Sequence, residues 1–384
     1  MSLVVFPFKD EDLQVMAANL STAARHERVR EVWAVAAAED AAMAGVAALA
    51  GEIAAANGTS VSVFPQERLG AFRSGKGDGM NTALRLAAER EFDRVHFYDA
   101  DITNFERSWI DGAEHAADRG YDVVRHRFPR AATDAMITWM VTRPGLALLF
   151  PGTILPRLGQ PLGGEILLGG GAVASLSDDA FVVARSDWGI DTVITHATTT
   201  LGLGIYEHNA PDGKRHALYG SLADIREMIL ECLDAVASLR GRSRPSRDAI
   251  FDADPPAPVP EDLKTTVAFD LDATRAAIAF PPDAGEAGVL ESLGIEPGAH
   301  IEMDAERWRV VLGELITRFR LDDDSWRAAV FRLWVARVVH YTTRHVPDGY
   351  EEAVSYLEAT IRGYEESSLS GGHARRSHRG EGAP

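Results

Sequence analysis

Short apolar runs alternate with helical patterns in the first third of the chain, and this alternation is the feature that most constrains the fold. It predicts an α/β fold, in which a mostly parallel sheet carries helices on both faces. Ligands of such sheets lie beyond the carboxyl ends of the strands, so the loops after Phe6, Phe64 and Tyr98 are the first candidates for a site. The runs that we interpret as strands cover residues 3–6, 32–36, 61–64, 94–98 and 121–125.

The chain changes character after about residue 240. A stretch rich in proline and charge has no periodicity and is typical of a linker. Apolar residues at helical spacing follow it, around Trp308, around Trp334 and from Tyr350 to Tyr364. We therefore predict an α/β domain over residues 1–240, a linker over 241–262, a helical domain over 263–366 and a disordered tail over 367–384.

Composition narrows the range of partners. Asp and Glu number 57 against 39 Lys and Arg, and the net charge of -18 disfavours nucleic acid and anionic membranes. The one cysteine, Cys232, lies at helical spacing among apolar residues and is interpreted as a core residue. No signal peptide or membrane span is evident, so we expect a cytoplasmic protein. The apolar helical stripes are consistent with a homo-oligomer.

The strongest chemical motif is Asp99-Ala100-Asp101, which follows an apolar strand. Side chains two residues apart in an extended segment point the same way. Two carboxylates placed in this manner suit Mg²⁺ or Mn²⁺, with a diphosphate supplying further ligands. An isolated Asp-x-Asp is more often a solvated turn, but its place at the end of a strand favours a metal site.

Two further loops suit a nucleotide. Lys76 lies among the glycines of a loop that follows Gln66 and leads into a helix, where backbone N–H groups and the lysine are able to receive a phosphate or a base carbonyl. A flexible loop with a solvated lysine explains the pattern equally well. Glu11, after the first strand, suits a ribose hydroxyl or a guanine edge, and helix capping is the equal alternative for Asp10 and Glu11.

Positive charge is concentrated between Arg125 and Arg130. Arg130 suits two-pronged binding of a carboxylate, with backbone N–H groups and a hydroxyl from the segment that ends at Thr138. Surface ion pairs are the expected fate of Arg125 and Arg127. Asp187 and Asp191 flank an indole, as sugar recognition requires, although Asp187 also suits a helix cap. His216 is a possible metal ligand that the pattern alone leaves open.

Together these segments resemble the mannosylglycerate synthases, a family of retaining glycosyltransferases with a GT-A-like catalytic domain and a helical C-terminal region. The similarity covers most of residues 1–240 and returns around LWVARVVHYT. The stretches that carry it are VVFPFK, QERLG, GKGDGMNTALR, HFYDADIT, FPRAATDAMITWM, QPLGGE, RSDWGIDT and the segment ending HALYG.

The resemblance implies transfer of mannose from GDP-mannose to D-glycerate, which yields the compatible solute mannosylglycerate. It implies a divalent metal, Mg²⁺ or Mn²⁺, held by Asp101 and His216. The acceptor would be bound by Arg130, Ala135, Met136, Ile137 and Thr138. The donor would be contacted by Pro7, Phe8, Lys9, Asp10, Glu11, Gln66, Lys76, Asp99, Ala100, Leu162, Asp191 and Tyr219.

For the reaction, Lys76 is expected to stabilise the leaving group, Arg130 to hold the acceptor and Asp191 to position the sugar. We favour front-face attack over a covalent intermediate as the origin of retention. The alternatives are a glucosylglycerate synthase or other sugar transfer to a small 2-hydroxy acid, a nucleotidylyltransferase, and a non-catalytic nucleotide-sugar sensor.

Overall fold

The computed structural model describes residues 1–216, 220–246, 249–298 and 300–377, with side chains described as far as residue 370. Contacts divide the chain into two compact units. The first unit comprises Met1–Pro129, Leu162–Ala217 and Asp248–Pro260. The second comprises Arg130–Pro161, Leu218–Arg247 and Glu261–Pro384. Among the described residues, no helix has the length and apolar character needed to cross a membrane.

The first unit is built on an eight-stranded sheet within the described residues, in the order β3-β2-β1-β4-β6-β5-β7-β8. All neighbouring strands are parallel except β6, which runs antiparallel to β4 and β5. The mostly parallel sheet is therefore confirmed. The strands are β1 (Ser2–Pro7), β2 (Val29–Ala36), β3 (Ser60–Pro65), β4 (Arg94–Phe97), β5 (Val123–Arg127), β6 (Ile166–Gly169), β7 (Ile205–Asn209) and β8 (Phe251–Ala253).

Helices, numbered along the whole chain, pack around this sheet and complete its core. Val4 pairs in register with Val32 and Phe6 with Ala34, and all four side chains are buried. A parallel sheet needs apolar residues on both faces, which is why β1 and β2 are nearly continuous apolar runs. The helices of the first unit are α1 (Leu13–Ala24), α2 (Met43–Asn57), α3 (Lys76–Glu89), α4 (Arg107–Asp118), α6 (Gly170–Ser177), α7 (Ala180–Ala184) and α8 (Ile190–Thr200).

The second unit is helical, and its three C-terminal helices lie where the apolar stripes predict them. Trp308, Trp334 and Tyr341 are among its buried side chains. Asp323 caps α14 by accepting from the N–H groups of Ser325 and Trp326. The helices are α5 (Arg143–Leu149), α9 (Arg226–Ser238), α10 (Glu261–Thr265), α11 (Leu271–Ala276), α12 (Ala284–Ser292), α13 (Ala305–Arg318), α14 (Asp324–Arg344) and α15 (Tyr350–Ser377).

The compact units do not follow the boundaries expected from sequence. Residues 130–161 and 218–240, expected in the α/β domain, cluster with the C-terminal helices, as does the start of the expected linker. Arg143 makes two 2.9 Å hydrogen bonds to Glu358, and Trp308 donates to the carbonyl of Met140. These bonds join residues 130–161 to the C-terminal helices.

Two local expectations also differ from the structure. The expected linker contains β8, which adds to the sheet edge because its backbone pairs with β7. Residues 367–377, expected to be disordered, continue helix α15, and residues 378–384 lie outside the described part.

Candidate active site

The end of β4 carries the Asp99-Ala100-Asp101 turn, and its backbone is fixed from two sides. Tyr98, directly after the strand, is fully buried and donates its N–H to the carbonyl of Val5. The amide of Asn19, on α1, donates to the carbonyls of Ala100 and Ile102 at 3.0 and 2.9 Å. These bonds hold the turn at the carboxyl edge of the sheet, so it is not a loose solvated loop.

Asp99 lies between two ammonium groups. Its Oδ1 is 2.7 Å from Nζ of Lys76, and its Oδ2 is 2.5 Å from Nζ of Lys214. Although burial acts in the opposite direction, the charges of Lys214 and Lys76 hold the pKa of Asp99 well below its ordinary value. Asp99 is therefore a fixed anion at neutral pH.

Lys76 connects this turn to the start of α8. Its Nζ also lies 2.9 Å from Oδ2 of Asp191 and 5.7 Å from the centre of the Trp188 ring. Burial alone lowers the pKa of Lys76, but the charges of Asp191 and Asp99 outweigh it and raise that pKa above its ordinary value. Lys76 is thus a buried, permanently charged cation, and the interpretation as a solvated lysine is wrong.

Lys214 connects the same turn to the residue before β6. Its Nζ lies 2.6 Å from Oε1 of Glu165, whose side chain has no exposed surface. Burial, together with the charge of Asp99, raises the pKa of Glu165. Gly164 packs so closely here that a Cβ would come well within 3.0 Å of Nζ of Lys76 and Oδ1 of Asp99. Only glycine fits at this position without displacing the ion pair.

Arg125 is buried, whereas a surface ion pair was expected for it. It lies on β5, and its guanidinium donates to the carbonyl of Gly163 at 2.9 Å. Arg125 lies near the middle of β5, which is an inner strand between β6 and β7, and this position explains its burial. Arg127, on the same strand, is only partly buried.

The glycine-containing loop that leads into α3 is held in place by hydrogen bonds and close packing. The N–H of Asp78, in the first turn of α3, donates to the carbonyl of Ser186 at 3.1 Å. The carboxylate of Asp78 accepts from the N–H groups of Leu69 and Gly70 at 3.1 and 3.0 Å. A Cβ on Gly77 would collide with the backbone of Ser186. The Asp78 N–H therefore serves packing, while Lys76, the first residue of α3, brings its charge to Asp99 and Asp191.

The loop after β1 carries Pro7, Phe8, Lys9, Asp10 and Glu11 at the same edge of the sheet. Phe8 is buried, Lys9 and Asp10 are exposed, and Asp10 has a left-handed φ of 53° while donating its N–H to Asp40. The cap of α1 is Asp12, so neither Asp10 nor Glu11 fills that role. Burial, with the charges of Asp101 and Asp99, raises the pKa of Glu11 to about 7. Glu11 therefore lies in a partly buried place with several carboxylates near it.

The two predicted metal ligands lie on segments that are bonded to each other. Thr103, two residues after Asp101, donates its N–H to the carbonyl of Arg215 at 2.9 Å, and Arg215 directly precedes His216. A carboxylate and an imidazole suit Mn²⁺ or Mg²⁺, and the carboxylates near Glu11, Asp101 among them, favour a cation. The described residues hold no group of three or more such ligands, so a metal here would take its remaining ligands from elsewhere.

The structure also locates the predicted donor residues Gln66, Ala100 and Leu162. Gln66 donates to Oγ of Ser74 at 3.1 Å, Ala100 is buried, and Leu162 is partly buried in the segment that leads to Gly164. Tyr219 lies outside the described residues.

The predicted acceptor segment, in the second unit, is held by several bonds. Arg130 pairs with Asp134 at 2.8 Å, and Asp134 accepts the N–H of Ala135, which has a left-handed φ of 54°. Met136, Ile137 and Thr138 are buried. Thr138 begins a π-helical turn, Thr138–Thr142, a conformation common at functional sites. The arginine is therefore presented by a fixed segment.

Sequence reasoning missed the roles of Lys214, Glu165 and Gly164. All three lie in stretches that carry the resemblance or beside them, but nothing local in those stretches indicates that they meet at Asp99. Asp187 accepts the N–H of Gly189 at 2.9 Å, but the N-cap residue of α8 is Gly189 and no side chain caps this helix, so the capping alternative for Asp187 is wrong.

Comparison with known proteins identifies the family. The model of the mannosylglycerate synthase GT domain matches residues 2–238. The chain belongs to the mannosylglycerate synthase family. The model of the family's C-terminal domain matches residues 288–361. The chain is 44% identical over 375 residues to mannosylglycerate synthase of Rhodothermus marinus, with 95% of this chain and 94% of that protein covered.

One further relative agrees with this assignment, and one solved structure shares the fold. Mannosylglycerate synthase of Selaginella moellendorffii is 39% identical over 375 residues, with 94% and 89% covered. Glucosyl-3-phosphoglycerate synthase from Mycobacterium tuberculosis, solved with Mn²⁺, uridine diphosphate and glucosyl-3-phosphoglycerate, has a TM-score of 0.50 at 21% identity, covering 64% of this chain and 81% of that one. The second likeness concerns the fold, which is GT-A-like. Membership of the family makes the chain a glycosyltransferase.

Proposed function

We propose that this chain transfers mannose from GDP-mannose to D-glycerate with retention of configuration, in a reaction that needs Mg²⁺ or Mn²⁺. The observation that carries the proposal is the buried Lys76, bonded to both Asp99 and Asp191 at the carboxyl edge of the sheet. The 44% identity to a mannosylglycerate synthase over almost the whole chain supports these substrates. The product would serve as a compatible solute.

Asp101 and His216 would hold the metal, and a metal at this place supplies charge neutralisation to the departing diphosphate. Lys76 brings a permanent positive charge to the same edge, where it also fixes the orientation of Asp191. We assign the remaining donor contacts to residues 7–11, Gln66, Asp99, Ala100, Leu162 and Tyr219.

Arg130 would bind the glycerate carboxylate through two parallel hydrogen bonds, and residues 135–138 would bind its hydroxyls. The Arg130–Asp134 pair supports this role because it fixes one side of the guanidinium.

We favour front-face attack, with an oxygen of the leaving phosphate as base. Asp191 is engaged by an ammonium group at 2.9 Å, which lowers the availability of that oxygen as a nucleophile and suits a role in positioning the sugar. A covalent mannosyl adduct at Asp191, trapped with a slow substrate and located by mass spectrometry, would overturn this step.

The direct test combines the protein with GDP-mannose, D-glycerate and Mg²⁺ or Mn²⁺, and detects GDP and mannosylglycerate. Proton NMR of the product reports the anomeric configuration. Asp101→Asn should abolish turnover, whereas Asp324→Asn, at a fully exposed side chain, should not change it. Turnover with glucose donors only would make the enzyme a glucosylglycerate synthase, and no turnover with any nucleotide sugar would indicate a sensor. Light scattering tests the expected homo-oligomer.

A further inference from the structure

Lys214, in the loop 213–216, forms two ion pairs with residues that flank strands of the sheet. Its ammonium lies between Oδ2 of Asp99 and Oε1 of Glu165, at 2.5 and 2.6 Å, and its side chain is only 7% exposed. Glu165 directly precedes β6, which lies inside the sheet between β4 and β5. The loop is therefore fastened to the residues that flank two inner strands, β4 and β6.

The bonds that Thr103 and Asn104 make to this loop are weaker anchors. Asn104 donates to the carbonyl of Gly213 and accepts the N–H of Arg215, while Thr103 donates to the carbonyl of Arg215. The bonds between Arg215 and residues 103 and 104 are at the exposed surface, where water competes with them. The charged, buried contacts of Lys214 are the stronger ones.

We propose that Lys214 is a positioning residue for the donor and metal site, with Glu165 as its buried counter-charge. It acts through two other groups: it orients the carboxylate of Asp99, and it fixes the backbone two residues before His216. This inference rests on the proposed function, in which His216 is a metal ligand and Asp99 contacts the donor. Residues that orient ligands in this way typically change metal affinity by roughly 10- to 100-fold when they are removed.

The experiment measures Mn²⁺ binding by electron paramagnetic resonance in the presence of GDP, which needs no turnover. Lys214→Met should raise the dissociation constant of Mn²⁺ about 10-fold or more. Lys214→Arg, which keeps a cation able to reach both carboxylates, should recover part of that loss. The steady-state KM for Mn²⁺ should rise in Lys214→Met. The KM for glycerate should stay within about 2-fold of its value in the unaltered chain, which is less than the loss of one hydrogen bond would cause. Lys264→Met, at an ion pair on α10, is the matched control.

The outcomes separate this inference from the proposed function. If the unaltered chain binds no Mn²⁺ with GDP, the metal site of the proposed function fails and the inference fails with it. If the unaltered chain binds Mn²⁺ and folded Lys214→Met binds it equally well, only the inference is overturned. If Lys214→Met does not fold, Glu165→Gln takes its place, because it keeps the side-chain shape and removes the counter-charge. An unchanged Mn²⁺ affinity in Glu165→Gln would then overturn the inference.

Discussion

The hydroxyl of Tyr350 donates a 3.0 Å hydrogen bond to the main-chain carbonyl of Arg130. Tyr341, on α14, donates in the same way to the carbonyl of Ala132 at 2.9 Å. Two tyrosines of the C-terminal helical part thus hold the backbone of the segment to which we assign acceptor binding. They fix the backbone from which the Arg130 side chain extends.

Tyr350→Phe should therefore weaken acceptor binding without affecting the donor. The loss of one hydrogen bond, worth about 0.5–1.5 kcal/mol, predicts a roughly 2- to 10-fold rise in the KM for glycerate. Tyr364→Phe is the matched control, because its hydroxyl also donates to a main-chain carbonyl, that of Ala305. Steady-state kinetics with each substrate varied in turn checks this, and an equal rise in both KM values would contradict it.

Gly164→Ala should damage the donor site from a position that carries no functional group. The added Cβ would meet Nζ of Lys76 and Oδ1 of Asp99 at less than 3.0 Å, so the ion pair must separate. We expect kcat to fall about 10-fold or more, since a separated pair loses at least one charged hydrogen bond of about 1.5–3 kcal/mol. Gly171→Ala, on α6, adds a methyl group to open space and should leave kcat unchanged. A fully active Gly164→Ala enzyme would show that the Lys76–Asp99 contact is dispensable.

Asp78→Asn should loosen the loop that carries Gln66. The carboxylate accepts from the N–H groups of Leu69 and Gly70 and from Arg68 at 2.8 Å, whereas an amide oxygen accepts them more weakly. We expect the KM for GDP-mannose to rise several-fold, which corresponds to a loss of about 1 kcal/mol in donor binding, and the KM for glycerate to stay constant. Isothermal titration with GDP supplies an independent reading, and an unchanged GDP affinity would count against a donor role for this loop.

The sequence predicts those elements that are marked by local pattern. The five apolar runs became β1 to β5, and Trp308, Trp334 and Tyr350 each lie on a helix of the second unit. The strands β6, β7 and β8 were not predicted. β6 and β8 have only four and three residues, and β7, Ile205–Asn209, ends in three polar residues, so none of them makes a recognisable apolar run. Their strand conformation comes from pairing with distant neighbours.

The residues of the candidate site were likewise predicted where a local motif marks them and missed where none does. Asp99, Lys76 and Asp191 stand in recognisable motifs, so sequence alone singles them out. The pairing of Lys214 with Asp99 joins residues 115 positions apart, and its pairing with Glu165 joins residues 49 apart. No local pattern encodes such a contact. The burial of Arg125 was missed for the same reason, because it depends on the place of β5 inside the sheet.

His126 should make the fold sensitive to mild acid. Its ring is buried, and Nε2–H donates to the carbonyl of Trp109 at 3.0 Å. Burial, with the nearby ring of His208, lowers the pKa of His126 to about 3 from an ordinary 6.5. The folded chain therefore favours the neutral ring, whose stabilising contribution is complete above pH 6.5 and is lost progressively as the pH falls towards 3.

The expected loss is about 1.4 kcal/mol of unfolding free energy per pH unit below 6.5, or about 2 kcal/mol at pH 5. His126→Gln keeps an N–H donor but cannot take up a proton, so its unfolding free energy should fall less steeply over this range. Urea titrations at pH 7, 6 and 5 measure the difference, with His115→Gln at an exposed histidine of α4 as control. Glu114 does not interfere: burial raises its pKa, but the contacts of His96, Ser2 and Arg94 together outweigh burial and hold the pKa of Glu114 below its ordinary 4.5. Parallel pH profiles for the unaltered chain and His126→Gln would show that the buried ring takes up its proton without unfolding the chain.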